Sequence, residues 1–196
     1  LAGDVRSDKD KLVQAVYEQI LKEEGFPYRV VSPAELIGYA PGELRGRYQA
    51  IVVPENINAA MTRETAEIIG SYVRDEGGCA LFSLNPATIN PGGAPWQAPL
   101  LVDLLGVKYN MPLPDGRIST YSGYMYFTDQ ESSQEWGITP GKLDQDNAFS
   151  TYSYGKLKFD HTMAKNINAR ISAFDKTGVV EIPVITDKYY ESGGSA

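Results

Sequence analysis

One segment of the sequence, residues 48–85, constrains the fold more than any other part of the chain. It begins with an apolar, β-branched run at residues 48–54, and it ends with a second apolar run, 79–84, that follows a pair of glycines. Such runs are typical of strands that are covered on both faces of a sheet. Between them, Thr62 opens a predicted helix that continues to about residue 75. The order strand, helix, strand with short connections predicts a parallel sheet.

The N-terminal region predicts another helix, for which either Ser7 or Asp10 is a suitable cap. Its apolar residues form two adjacent i, i+4 rows, and we expect these rows to merge into one wide stripe that faces the core. The stripe consists of Leu12, Val13, Val16, Tyr17, Ile20 and Leu21. Gly25 is placed to end the helix in the left-handed conformation. Residues 28–31 then predict a short strand.

The character of the sequence changes at residue 109, because eight of the thirteen tyrosines lie from Tyr109 onward. Alternation of tyrosine with small polar residues favours antiparallel β-strands. We therefore predict an α/β protein: residues 1–108 form a flavodoxin-like three-layer parallel sheet with helices on both faces. Residues 109–196 form a Tyr-rich β extension of the same domain. Residues 189–196, rich in glycine and serine, are typical of a frayed end.

Composition excludes several classes of partner. The net charge of -7 and the pI of about 4.8 argue against binding to nucleic acid or anionic lipid, which requires clustered Lys and Arg. No apolar run approaches the roughly 20 residues that cross a bilayer, so we expect no membrane insertion. The chain starts at Leu1 without Met, which we interpret as a processed chain or an excised domain. An extracellular or periplasmic location is favoured over a cytoplasmic one.

A set of short motifs in the first half resembles a known family. These motifs are YQAIVVP at residues 48–54, TRETA at 62–66, the glycine pair at 77–78 and DLLGV at 103–107. In this order they resemble the class I glutamine amidotransferase-like fold. The most similar variety is the β-galactosidase trimerisation-type domain of bacterial carbohydrate-active enzymes. The resemblance covers about residues 12–107 and implies an amidotransferase-like α/β core.

The residues that the resemblance would make catalytic are in the wrong places. The resemblance implies that a working amidotransferase of this fold carries a cysteine in a G-x-C-x-G turn after a strand, together with a histidine that activates the cysteine. Here Cys79 stands at the start of the predicted strand, and Leu81 replaces the second glycine. We therefore interpret Cys79 as a buried structural residue. His161, the only histidine, is a candidate general base or a surface residue, and one imidazole cannot build a metal site.

Polar residues follow both of the predicted parallel strands. Glu55, Asn56 and Asn58 follow the first strand, and Ser83 and Asn85 follow the second. If the strands are adjacent, these side chains converge at the carboxyl edge of the sheet, where this class of fold binds ligands. They are therefore candidate ligand-binding residues, and Glu55 is also a candidate general acid or base. The alternative is that they cap the following helix and satisfy loop backbone groups.

Aromatic residues form a second candidate surface, and Trp96 joins the ligand-binding candidates. Aromatic rings stack on sugars, anchor protein interfaces, or simply pack β-sheets, and all three interpretations stay open. The set comprises Trp96, Trp136, Tyr121, Tyr124, Tyr126, Tyr152 and Tyr154.

These features favour a non-catalytic accessory or assembly domain of a larger bacterial carbohydrate-active or polysaccharide-related protein, with no cofactor and no metal. The expected partner is a second copy or a neighbouring catalytic domain, with carbohydrate as a further candidate. The first alternative is a carbohydrate-directed hydrolase that uses Glu55 with a second carboxylate, Asp103 or Asp129. The second alternative is a sugar-binding module that uses exposed aromatic residues.

Overall fold

The computed structural model describes residues 7–54, 58–83, 86–109, 120–127, 150–154, 157–159, 170–176 and 181–196. The chain is divided into two compact units. Unit 1 contains Leu1–Leu104 together with Tyr190–Ala196, and unit 2 contains Leu105–Tyr189.

Helix α1 of unit 1, Asp8–Glu23, begins at a reciprocal cap. The Ser7 hydroxyl accepts a hydrogen bond from the Asp10 backbone N–H, and the Asp10 carboxylate accepts from the Ser7 backbone N–H at 2.9 Å. The helix ends before Gly25, whose φ of +75° is the left-handed conformation expected from the sequence. Both ends of α1 are therefore fixed by local sequence.

The expected core-facing stripe of α1 is wrong in part, because no residue of this helix is buried. Leu12, Val16 and Ile20 are 64%, 45% and 52% exposed, whereas Val13 and Tyr17 are half-buried. A stripe made of two adjacent rows covers about half of the helix circumference, which is more than one contact surface can bury. The predicted strand at residues 28–31 is also wrong, since this segment is not a strand and pairs with none of the strands that the structure describes.

Two short helices connect this region to the sheet. Helix α2, Pro33–Leu36, is capped by the Ser32 hydroxyl, and helix α3 is Glu43–Arg47. Each contributes one buried leucine, Leu36 and Leu44.

The central layer of unit 1 is a parallel pair of strands, β1 (Ala50–Val53) and β2 (Cys79–Phe82). Helix α4, Arg63–Arg74, joins them and is capped by the Thr62 hydroxyl, as the sequence predicted. The small parallel sheet with its crossing helix confirms the α/β class. The complete three-layer, flavodoxin-like arrangement stays a prediction.

The core of unit 1 lies where α4 packs on these strands. Its most deeply buried side chains come from β1, α4 and the short helix α5 (Val102–Leu105) with the residue before it. They are Val53, Ile69, Tyr72, Val73, Leu101 and Leu104.

Tyr72 and Gly78 make the tightest contact between α4 and β2. A Cβ atom on Gly78 would lie 2.1 Å from Cζ of the Tyr72 ring, far inside van der Waals contact. The Tyr72 hydroxyl donates a hydrogen bond to the Tyr48 carbonyl at 3.0 Å, just before β1. The same ring therefore fixes the start of both parallel strands, and position 78 must be glycine.

The C-terminal segment Tyr190–Ala196 packs against this contact, so the expectation of a frayed end is wrong. The Ala80 N–H donates to the Ser195 carbonyl at 2.8 Å, and the Ser195 N–H donates to the Gly78 carbonyl at 3.2 Å. A Cβ atom on Gly194 would lie 1.9 Å from the Val73 carbonyl oxygen. The glycines that suggested flexibility are required for close backbone approach.

Unit 2 is built from antiparallel strands in the part of the chain that the structure describes. Strands β3 (Val107–Tyr109) and β6 (Leu157–Phe159) pair with each other. A second, four-stranded sheet consists of β4 (Thr120–Phe127), β5 (Ser150–Tyr154), β7 (Arg170–Lys176) and β8 (Glu181–Asp187). Its strand order is β5-β4-β7-β8. Within the described ranges of both units, no helix is long and apolar enough to cross a membrane.

The Tyr72–Gly78 contact predicts a sharp contrast between two glycine-to-alanine substitutions. Gly78→Ala should lower the free energy of unfolding by about 1–3 kcal/mol, because the new methyl group collides with a buried ring. Gly46→Ala is the matched control: it lies in α3 with nothing within 4 Å of its Cβ position, and it should be neutral or stabilising by up to about 1 kcal/mol. Urea titration followed by helical circular dichroism measures both, and equal midpoints would contradict the contact.

Two tyrosines, the buried Tyr72 and the half-buried Tyr190, predict a loss of stability at alkaline pH. Burial raises the pKa of Tyr72 from 10.0 to about 12, and burial likewise raises the pKa of Tyr190 to about 12. Between about pH 10 and 12 the unfolded chain loses these protons while the folded chain keeps them, so stability falls as the pH rises. The double variant Tyr72→Phe, Tyr190→Phe should show a shallower decline of unfolding free energy across this window. A decline parallel to that of the unsubstituted chain would exclude these tyrosines as its source.

Candidate functional site

The carboxyl ends of the two parallel strands lie side by side, as the candidate ligand site required. The Ser83 N–H donates a hydrogen bond to the Val53 carbonyl at 3.2 Å, and the Ser83 hydroxyl lies 2.7 Å from the Tyr17 hydroxyl of α1. Ser83 is thus tied both to β1 and to the half-buried face of α1. Three other candidates, Glu55, Asn56 and Asn85, lie outside the described residues.

Asn58 is buried beneath the loop that follows β1, with 1% of its surface exposed. Its side-chain amide donates to the Pro54 carbonyl at 3.1 Å, and its backbone carbonyl accepts from the Ala87 N–H at 3.0 Å. These contacts join Asn58 to the end of β1 and to the segment that follows β2. They serve the backbone, while a ligand-binding role for Asn58 stays a prediction.

The loops after β1 and β2 are joined by further backbone hydrogen bonds. The Met61 N–H donates to the Ile89 carbonyl at 3.1 Å, and the Ile89 N–H donates to the Ala59 carbonyl at 3.0 Å. This pairing holds Ala87, which is fully buried at a φ of +56°. It is the one residue other than glycine with positive φ in the part of the chain that the structure describes. Such strain is typical of functional turns, but a methyl group supplies no nucleophile.

Trp96 lies on the outer side of these joined loops. Its indole N–H donates to the Met61 carbonyl at 3.3 Å, and the Arg63 guanidinium lies over its ring with Cζ 4.7 Å from the centroid. The cation–π contact occupies one face of the ring. A sugar could therefore stack on Trp96 only from the opposite face.

The cysteine and the histidine do not assemble an amidotransferase centre among the described residues. Cys79 lies at the amino end of β2, and Ser83 follows the carboxyl end of the same strand. The prediction that Cys79 is buried is wrong, because it is exposed next to the bridge that this strand makes with Ser195. His161 lies outside the described residues.

A separate acidic groove of about 540 Å³ runs between the segment that carries α2 and α3 and one side of α4. Glu64, Glu67 and Glu76 line it together with apolar side chains such as Ile37. Oxygen Oε1 of Glu76 accepts from the Gly42 N–H at 2.8 Å. Three carboxylates disfavour an anionic ligand, and no group of three or more metal-ligating side chains is found within the described ranges.

The exposed apolar row of α1, defined as Leu12, Val16 and Ile20, is the feature that sequence reasoning missed. These residues follow i, i+4 spacing on one side of a well-capped helix and are each at least 45% exposed. The signal was present in the sequence, because the apolar positions of this helix were too numerous for a single core-facing stripe. An uncovered apolar row is typical of a surface that another protein covers.

Several solved structures resemble the chain. Gan42B, a GH42 β-galactosidase from G. stearothermophilus, gives a TM-score of 0.59 at 13% identity, covering 100% of this chain and 24% of that chain. A ThuA-like protein from Bacteroides uniformis ATCC 8492 gives a TM-score of 0.55 at 12% identity, covering 90% of this chain and 69% of that chain. No protein-family model matches the sequence, and no curated protein sequence matches it either.

At these identities the likeness establishes the fold alone. Both structures support a class I amidotransferase-like fold, which is the coarse part of the resemblance read from the sequence. The chain spans about a quarter of the length of the β-galactosidase that it matches.

The contacts at the sheet edge predict different costs for two substitutions. Asn58→Ala should lower the free energy of unfolding by about 1–3 kcal/mol, because it leaves the buried Pro54 carbonyl without its amide donor. Ser83→Ala is the control: it removes a half-buried hydroxyl pair with Tyr17 and should cost about 1 kcal/mol or less. Thermal unfolding followed by circular dichroism compares them. A stability unchanged by Asn58→Ala would mean that this side chain is kept for another purpose.

Proposed function

We propose that this chain is a non-catalytic assembly domain of a larger bacterial carbohydrate-active or polysaccharide-related protein. On this view it holds a protein partner on the apolar row of α1. The proposal extends to the fold, in which a full three-layer, flavodoxin-like sheet surrounds the described pair β1 and β2.

The observation that carries the proposal is the exposure of Leu12, Val16 and Ile20 on a helix whose two ends are fixed. Full burial of an exposed aliphatic side chain is worth about 1.5–3 kcal/mol. Because these three are already about half covered by their own chain, a partner that covers the rest gains about half of that for each one. Burial of the row is therefore favourable in free energy, and on this proposal a partner protein buries it.

Among the described residues, the strained turn at Ala87 carries no nucleophile, and this supports a non-catalytic role. In enzymes with a nucleophile elbow, the reactive side chain sits on a strained turn after a strand. After β2 the buried residue with positive φ is Ala87, and Cys79 lies at the other end of the strand. Neither residue offers a thiolate or hydroxyl at the carboxyl edge.

The likeness to a glycosidase supports the link to carbohydrate chemistry. The chain corresponds to 24% of a GH42 β-galactosidase, which is the proportion expected of one module within a larger enzyme. A hydrolase that uses Glu55 and a sugar-binding module remain the alternatives, and Trp96 with one ring face covered by Arg63 is a limited sugar platform.

The proposal is tested by comparing the chain with a variant in which Leu12, Val16 and Ile20 are all replaced by Gln. Gln retains helix propensity, so the helix should persist while association with partner protein is lost. Sedimentation velocity measures association, and cleavage of chromogenic aryl β-galactosides measures turnover. We expect association that depends on the row and no turnover. Turnover that Glu55→Gln abolishes would instead establish the hydrolase.

A further inference from the structure

We propose that the partner on the apolar row of α1 is a second copy of this chain, packed antiparallel across a two-fold axis that passes beside Val16. This inference rests on the proposed assembly function and adds the identity of the partner and its orientation.

The row is symmetric about its middle residue. Leu12 lies four residues before Val16, and Ile20 lies four residues after it. In an antiparallel pair centred on Val16, Leu12 of one copy therefore packs against Ile20 of the other, and the two Val16 side chains meet at the axis. All three side chains are at least 45% exposed, so each presents apolar surface that a second copy can cover.

The charges at the two ends of the row are opposite. Lys9 lies seven residues before Val16 and Glu23 lies seven residues after it, and seven residues return to nearly the same side of a helix. Both residues are exposed. Asp8 is engaged along the helix by Lys11 at 3.0 Å, so the positive charge at the N-terminal end of the row comes from Lys9.

These charges select the antiparallel orientation. An antiparallel copy places Lys9 beside Glu23 of the second copy, and two-fold symmetry makes this pairing twice. A parallel copy would place Lys9 against Lys9 and Glu23 against Glu23, which is repulsive at both ends. Three aliphatic residues per copy form a small interface, so the dimer should be weak and concentration-dependent.

The orientation is tested by exchanging the two charges in the 196-residue chain. Lys9→Glu and Glu23→Lys should each raise the dimer dissociation constant by at least about fivefold at low ionic strength, because each turns two attractive pairs into repulsive ones. The double variant should restore the original constant. Both single changes also improve the interaction with the helix dipole, because they place a negative charge near the N-terminus of α1 or a positive charge near its C-terminus. Weaker association would therefore not reflect unfolding of α1.

Sedimentation equilibrium from about 10 μM to about 1 mM brackets a weak association and separates the outcomes. Loss in the single variants with recovery in the double variant supports the antiparallel dimer. A dimer that is indifferent to both charge changes overturns this pairing. A monomer that binds the remainder of its own polypeptide through the apolar row overturns the second copy but keeps the assembly function. A monomer that binds neither overturns both.

Discussion

Unit 1 depends on the contact between the Tyr72 ring and Gly78. The ring occupies the space that any side chain at position 78 would need, and its hydroxyl reaches the Tyr48 carbonyl. One side chain of α4 therefore sets the start of β1 and the start of β2, from which their parallel register follows. The C-terminal segment closes over the same place, because Gly194 approaches the Val73 carbonyl more closely than any other residue type would allow.

The local features of this unit were predictable from the sequence because each depends on few neighbouring residues. Thr62 caps α4, Gly25 ends α1, and the two apolar runs form parallel strands, all as expected. The raised pKa of Tyr72, in contrast, could not be predicted from the sequence, because it depends on the complete burial of the residue in the folded chain.

The features that the sequence did not predict depend on residues that are far apart in the sequence, or on which surface packs against a given helix face. Gly194 resembled part of a flexible tail, because its need for glycine comes from Val73, far away in sequence. Periodicity assigned Leu12, Val16 and Ile20 to an apolar face, but it cannot state whether that face meets the core or another protein. At the sheet edge, Ser83 was correctly placed beside β1, whereas its contact with Tyr17 requires the position of α1.

The candidate site at the sheet edge would favour ligand binding, whereas the apolar row favours assembly with a protein. The row is the stronger of the two indications. Near the sheet edge the described polar groups are engaged with the chain itself: Asn58 with Pro54, Ser83 with Tyr17, and the Trp96 indole with Met61. The three side chains of the apolar row of α1, by contrast, are each at least 45% exposed despite their hydrophobic character. For this reason we propose an assembly surface on α1 as the functional feature of the chain.

Hydrogen exchange at the backbone amides of α1, followed as protein concentration rises, tests this central claim most directly. Assembly through the apolar row should slow exchange across α1 with concentration, because covering the helix suppresses its local opening, while amides of α4 in the core exchange at a constant rate. If the amides of α1 exchange at the same rate at every concentration and with every candidate partner, the row is not an assembly surface.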